Sequence, residues 1–181
     1  MAPDTVPAPD LDAAASAVGL CQAIVDAGAR HLAANGGVDA NQVVAYDLAH
    51  AAAAVATARA TLDYGATGDV EARIACAFAA DAAADLVGRL VGRAELWGAD
   101  PATLSPSAAF VAAHRHPEAL AALCGEEGPR HLGEDLELAR ETFHRFAANE
   151  IRPHAEHVHR TNADIPEEII AGLAALGGFG L

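Results

Sequence analysis

Residues 135–181 read DLELARETFHRFAANEIRPHAEHVHRTNADIPEEIIAGLAALGGFGL, and the spacing of apolar residues within them is helical throughout. Leu136, Ala139, Phe143, Phe146, Ala147, Ile151 and Val158 recur at three- and four-residue steps, which lines them along one face of a long helix. Pro153 interrupts this run. It has no N–H for the carbonyl of Asn149 and its ring crowds the preceding turn, so the helix is expected to kink or end near Arg152. Polar residues continue to Asp164, where a second helix is expected to open: Asp164 as the cap, with Pro166, Glu167 and Glu168 in the first turn, where free N–H groups favour negative charge. Ile169, Ile170, Leu173 and Leu176 form its apolar stripe, and Gly177 can take the left-handed conformation that closes a helix.

In order, this stretch holds a phenylalanine-bearing helix, Glu150-Ile151-Arg152-Pro153, an acidic helix opened by Ile165-Pro166-Glu167-Glu168, and Leu176-Gly177-Gly178-Phe179-Gly180-Leu181. The ordered set resembles the opening of the acyl-CoA dehydrogenase family, FAD flavoproteins that desaturate acyl-CoA thioesters. The resemblance implies a reaction in which a glutamate removes the α hydrogen as a proton and flavin N5 takes the β hydrogen as hydride. The thioester carbonyl acidifies the first, and FAD accepts the second. It further implies an acyl-CoA substrate, an electron-transfer acceptor and a homo-oligomeric assembly. In the family the β-rich flavin domain and the catalytic carboxylate follow this point. They are therefore expected beyond Leu181, and no catalytic, cofactor-binding or metal-ligating residue is assigned here.

An earlier segment, Gln42 to Gly98, looks like the last two helices of the same family. Val43-Val44-Ala45-Tyr46-Asp47-Leu48-Ala49 is similar to one of them, and Ala75 to Ala83, Ala-Cys-Ala-Phe-Ala-Ala-Asp-Ala-Ala, to the other. Where the family's second helix ends in a glycine pair that touches the flavin, this chain has Glu95-Leu96-Trp97-Gly98, so no flavin contact carries over. A segment like the family's end thus precedes one like its beginning. Such an extension resembles the subgroup typified by methylsuccinyl-CoA dehydrogenase, which acts on a branched, dicarboxylic acyl-CoA.

Composition narrows the alternatives. The 181 residues are 52% hydrophobic but only 4% aromatic, with alanine dominant, so thin cores and closely approached helices are expected and strands have little support. The formal net charge is −14 and the cations are arginines, with no lysine in the chain. Nucleic acids and anionic membranes are disfavoured, because neutralising their phosphates requires clustered positive charge. Cys21, Cys76 and Cys124 are odd in number and far apart, which points to reduced thiols instead of a disulfide framework or metal knuckle. The N-terminal APDTVPAPD lacks a basic region and an apolar core, so it does not read as a signal peptide, and a cytoplasmic location is expected. No membrane span is expected, since Asp and Arg punctuate the alanine-rich runs.

From the beginning, residues 1–9 read as a flexible tail. A first helix is expected from Asp10, its cap, to about Asn35, with Leu11, Ala14, Val18, Cys21, Val25 and Leu32 on one face and Gly36-Gly37 closing it. Asp39 is expected to cap a second helix with Val43, Val44, Leu48, Ala51, Val55, Ala58 and Leu62 along its stripe, ending near Gly65 and Gly68. A third runs from Asp69 to Trp97, its stripe including Val70, Ile74, Ala77, Phe78, Leu86, Leu90, Val91, Ala94 and Trp97. These form an N-terminal bundle over 10–98. Residues 99–133, cut by Pro101, Pro106, Pro117 and Pro129, read as a connector with brief helices near Ser107 to Ala113 and Glu118 to Cys124. Gly125-Glu126-Glu127-Gly128-Pro129 reads as a flexible separator, and residues 134–181 begin the family-like domain.

Potential ligands concentrate at His154, Glu156, His157 and His159, with His154 and His157 sharing a helix face if the helix passes Pro153. Exposed histidines on a solvated helix end is the expectation, because no further ligand is dictated by the spacing; His114 and His116 read the same way. The pairs Glu126-Glu127, Glu134-Asp135 and Glu167-Glu168 fall at turns or helix starts, where acids favour the helix dipole without catalytic work. Arg89 and Arg93 lie one turn apart and could hold a phosphate, but side chains that are solvated or paired with Asp85 and nearby acids are expected. The expectation is an all-α chain: a three-helix bundle followed by the start of an acyl-CoA dehydrogenase N-terminal domain. A non-catalytic helical protein-interaction module is the alternative.

Overall fold

The computed structural model describes residues 6–126 and 128–180 and divides into two compact units, Met1–Gly128 and Pro129–Leu181. The first five residues of the expected tail, Glu127 and Leu181 lie outside the described residues.

In the first unit, helix α1 (Leu11–Ala34) begins where Asp10 Oδ1 accepts the Ala13 N–H at 2.8 Å, satisfying one of the free donors of its first turn. After the glycine pair comes a four-residue turn of helix, α2 (Gly37–Ala40), which contains Asp39. Asp39 is therefore not a cap. Asn41 holds the corner, its side-chain amide donating to the carbonyls of Asn35 (2.8 Å) and Gly37 (2.9 Å), and α3 (Gln42–Gly65) starts from there. A three-residue turn leads to α4 (Asp69–Leu90).

The helix expected to run unbroken to Trp97 stops at Leu90. Val91 turns extended and Gly92 takes φ +72°, a left-handed value that a side chain would resist, before α5 (Ala94–Trp97) resumes. This break folds Trp97 back under the bundle, where it is fully buried. A Cβ added to Gly28 would stand 3.1 Å from the indole and 3.0 Å from Leu48, so the ring lies where α1 is thinnest.

Alanines set the packing faces. On α4 the buried residues are Glu71, Ala72, Ala75, Cys76, Ala79, Ala80, Ala83, Leu86 and Leu90, while Ile74 and Val91 from the expected stripe are exposed. On α3, Leu48, Ala51, Val55 and Ala58 are buried, but Val43 is exposed. Helix spacing is set by the side chains at the contact, and a row of methyl groups permits a closer approach than β-branched side chains do. On α1 the expected Ala14, Val18, Cys21, Val25 and Leu32 are buried.

The region expected to be a connector packs on the bundle. A 3-10 helix (Pro101–Ser107) and α6 (Ala108–His114) lie against α1 and α4, with Leu104 in the core, and α7 (Pro117–Ala121) follows. By length and composition α1 could cross a membrane, contrary to expectation. In the structure its apolar face forms part of the bundle core.

The second unit contains α8 (Glu134–Phe146), a π-helical turn (Ala147–Ile151), α9 (Arg152–Thr161) and α10 (Glu167–Ala175). The chain neither ends nor breaks at Pro153. The Arg152 N–H reaches back five residues to the Ala147 carbonyl, and this wider turn inserts a residue just before the proline, which then occupies the first turn of α9, where no N–H is needed. Asn162, at φ +51°, closes α9 with its N–H on the Val158 carbonyl. Pro166, and not Asp164, stands at the cap position of α10, without a side-chain cap bond. At the far end Gly177 N–H bonds Ala174 O (2.9 Å) and Gly178 N–H bonds Leu173 O (2.8 Å), the paired closure that a left-handed glycine permits. Among the described residues the secondary structure is helical with no strand.

Candidate functional site

Within the second unit, α9 and α10 face each other across an apolar groove of about 630 Å³. Ile151, Val158, Ile169, Leu173 and Phe179 line it, with the imidazoles of His154 and His159 among them. Its walls follow from the local folding: the π turn shifts the phase of the helix, so Ile151 and Val158 point to the groove, while the exposed Leu136 and Phe143 do not line it. The single apolar face expected from Leu136 to Val158 is thus two faces, divided at Ala147–Ile151. Among the described residues of this unit Ile169 alone is buried; Ile165, Ile170 and Phe179 remain exposed. Phe146 packs where Gly172 has no side chain, and a Cβ there would come within 2.6 Å of the ring.

The histidine-rich segment does not converge. His154 and His159 line the groove and His157 does not, so the expected pair is not the one on a shared wall. Glu156 is engaged by Arg160 at 2.8 Å. Among the described residues no three His, Cys, Asp or Glu side chains stand together in a way that could hold a metal.

A second groove, of about 530 Å³, lies in the first unit and is lined by Asp47, Asp81, Asp85, Arg89, Arg93 and Arg115. The charges are matched. Asp47, largely sheltered, accepts from Arg89 Nη1 (2.9 Å) and Arg93 Nη1 (2.8 Å), while Arg89 Nε donates to Asp85 (2.7 Å) and Arg115 Nε to Asp81 (2.6 Å). The hydrogen bond that Arg89 donates to Asp85, with the nearby Asp47 charge, raises the Arg89 pKa above its ordinary value. Arg89 and Arg93 are therefore paired with acids, as expected, and clamp the start of α3 to the end of α4.

Of the acidic pairs, Glu126 is bonded to Arg73, and Glu127 lies outside the described residues. Glu134 and Asp135 stand in the first turn of α8, and Glu167 and Glu168 in that of α10. Glu137 is held below the usual carboxylate range by its hydrogen bond from Arg140. Cys21 and Cys76 are buried and Cys124 is exposed. Sequence reasoning passed over Glu71, a fully buried carboxylate on α4; its only signal was a position two residues beyond the start of a helix, opposite glycine.

These residues do not fit a flavin. The groove in the second unit offers hydrocarbon and two imidazoles, with no arginine on its walls to hold a pyrophosphate. Among the described residues the buried polar atoms without a partner, Arg73 Nε and Trp97 Nε1, belong to the first unit. Within Glu95–Gly98, Trp97 fills the bundle core and Gly98 abuts the His31 ring. What the groove can do is accept an apolar chain or helix face.

Residues 133–181, helical in the structure, match the family model described as acyl-CoA dehydrogenase, N-terminal domain. Among individual proteins, the chain is 44% identical over 54 residues to the (2S)-methylsuccinyl-CoA dehydrogenase of Cereibacter sphaeroides, an alignment covering 30% of this chain and 10% of the relative. The chain thus spans about a tenth of the length of that relative. No solved structure matches it.

Proposed function

We propose that this chain is the N-terminal helical portion of a FAD-dependent acyl-CoA dehydrogenase that desaturates a short branched acyl-CoA, with methylsuccinyl-CoA the first substrate to test. The observation that carries the reading is the match of residues 133–181 to the N-terminal domain family, together with 44% identity to a dehydrogenase of that substrate. In this reading the second unit supplies helices to the acyl-binding domain, and its open apolar groove is a face that further parts of the enzyme cover. FAD, the α-proton base and the contacts to an electron acceptor belong to sequence outside residues 1–181, as does any assembly into homo-oligomers. The first unit, whose Gln42–Gly98 helices resemble the family's closing pair, is a structural extension. The chain by itself is inactive, and a cytoplasmic location is part of the same reading.

The test is the intact mass and flavin content of the protein purified from its own cells, followed by assay on methylsuccinyl-CoA. A mass several times 18.4 kDa with bound FAD and acyl-CoA oxidation supports the reading. A mass near 18.4 kDa without flavin overturns it in favour of a helical interaction module.

A further inference from the structure

The separator at Gly125–Pro129 looks flexible by composition, yet Glu126 is bonded to α4 through Arg73 and Gly128 lies directly against the Glu71 carboxylate. Glu71 is the origin of this. Its carboxylate is 1% exposed, and it lies so close to two backbone positions that neither could carry a side chain: a Cβ on Gly68 would overlap Oε2, and one on Gly128 would sit 2.5 Å from Oε1. Gly68 is the residue before α4 and Gly128 the last of the first unit, 60 residues apart in the chain. Two residues along α4, Arg73 holds Glu126 through both terminal nitrogens, Nη1 at 2.7 Å. Leading into this clamp, the Leu123, Cys124 and Glu126 amides are bonded in successive turns to the carbonyls of Leu120, Ala121 and Leu123.

We propose that Glu71 and Arg73 form a latch that fixes the exit of the chain from the first unit at Gly128, so that the tether to the second unit begins at Pro129. The glycine at 128 then serves closeness and not flexibility. A buried carboxylate against the helix start supplies one point of attachment and a half-exposed ion pair the other. Opening the latch would free Leu123–Gly128 and lengthen the tether by about 20 Å, at roughly 3.3–3.6 Å for each extended residue. The latch is a conformational device that sets the reach of one unit from the other, independent of the enzyme reading.

Hydrogen exchange on the full chain tests it. In the unaltered protein, the amides of Leu123, Cys124 and Glu126 should exchange at least tenfold more slowly than those of Arg130–Gly133. Gly128→Ala, which places a methyl group on the Glu71 carboxylate, and Arg73→Gln, which removes the ion pair, should each accelerate exchange at Leu123–Glu126 about tenfold and leave the centres of α1 and α4 unchanged. If Gly128→Ala loosens the whole bundle, Arg73→Gln alone decides. Equal exchange on both sides of Gly128 in the unaltered protein, or no acceleration in Arg73→Gln, overturns the latch.

Discussion

His114 shows how burial changes a residue that sequence treats as ordinary. It sits at the end of α6, nearly closed off from solvent and tilted against Phe110 with ring centroids 4.7 Å apart. Burial lowers its pKa below the ordinary 6.5, with the Asp10 charge acting weakly in the opposite sense. The folded state therefore binds this proton less readily than the unfolded chain does. Its contribution to stability is complete above pH 6.5 and declines as pH falls from there toward the folded pKa. Urea titrations at pH 8 and pH 5 should show a loss for the unaltered protein that is smaller in His114→Phe; equal losses would refute the assignment. The cysteines divide just as sharply. Burial pushes the Cys21 thiol up to about 11, and Cys76 is raised for the same reason, whereas Cys124 is exposed. Iodoacetamide at pH 8 on the native protein should alkylate Cys124 alone, with Cys21 and Cys76 reacting only after denaturation, as peptide mass mapping would reveal.

Among the elements, what was legible depended on whether local rules or packing decided the outcome. Asp10 capping α1 and Gly177 closing α10 are local hydrogen-bonding choices, and both could be read directly. Packing faces could not be. Ile74 and Val91 carry more apolar surface than Ala79 and Ala83, so periodicity weighted by size put them inside, but the closely spaced helices admit the alanines. The turn at Ala147–Ile151 was illegible because it adds one residue to a repeat, and the stripe from Leu136 to Val158 loses phase there. The candidate groove inherits that error: Phe143, expected in the core, is 38% exposed, and Phe146 carries the contact to α10. Phe143→Ala should then cost only about 1 kcal/mol, well below the roughly 3–5 kcal/mol of a fully buried phenylalanine. Gly172→Ala should cost about 1–3 kcal/mol, since the added methyl group meets the Phe146 ring. Denaturant midpoints that reverse this order would mean that the α8–α10 contact is misassigned.

For the molecule as a whole, charge is the dominant fact. A net −14 on 181 residues opposes compaction, and the matched Asp47, Asp81, Asp85, Arg89, Arg93 and Arg115 set relieves none of that excess, being neutral in sum. Salt shortens the range of the repulsion, with the Debye length falling from about 30 Å at 0.01 M to about 8 Å at 0.15 M. Thermal unfolding should accordingly shift upward by a few degrees over that range. A fall in midpoint would show that the ion pairs outweigh the net charge. The charge balance was plain in the sequence, but its distribution was not, because Asp47 meets Arg89 and Arg93 only through the antiparallel pairing of α3 with α4.

The row of methyl groups on α4 also bears on how this protein responds to temperature. Each buried alanine withdraws far less apolar surface from water than a leucine or phenylalanine, so unfolding the bundle hydrates comparatively little hydrocarbon. The heat capacity increment on melting should then fall below the usual ~12–15 cal/mol/K per residue. A small increment flattens the curve of free energy against temperature. The bundle would gain its persistence from a broad plateau, with cold unfolding pushed far below freezing.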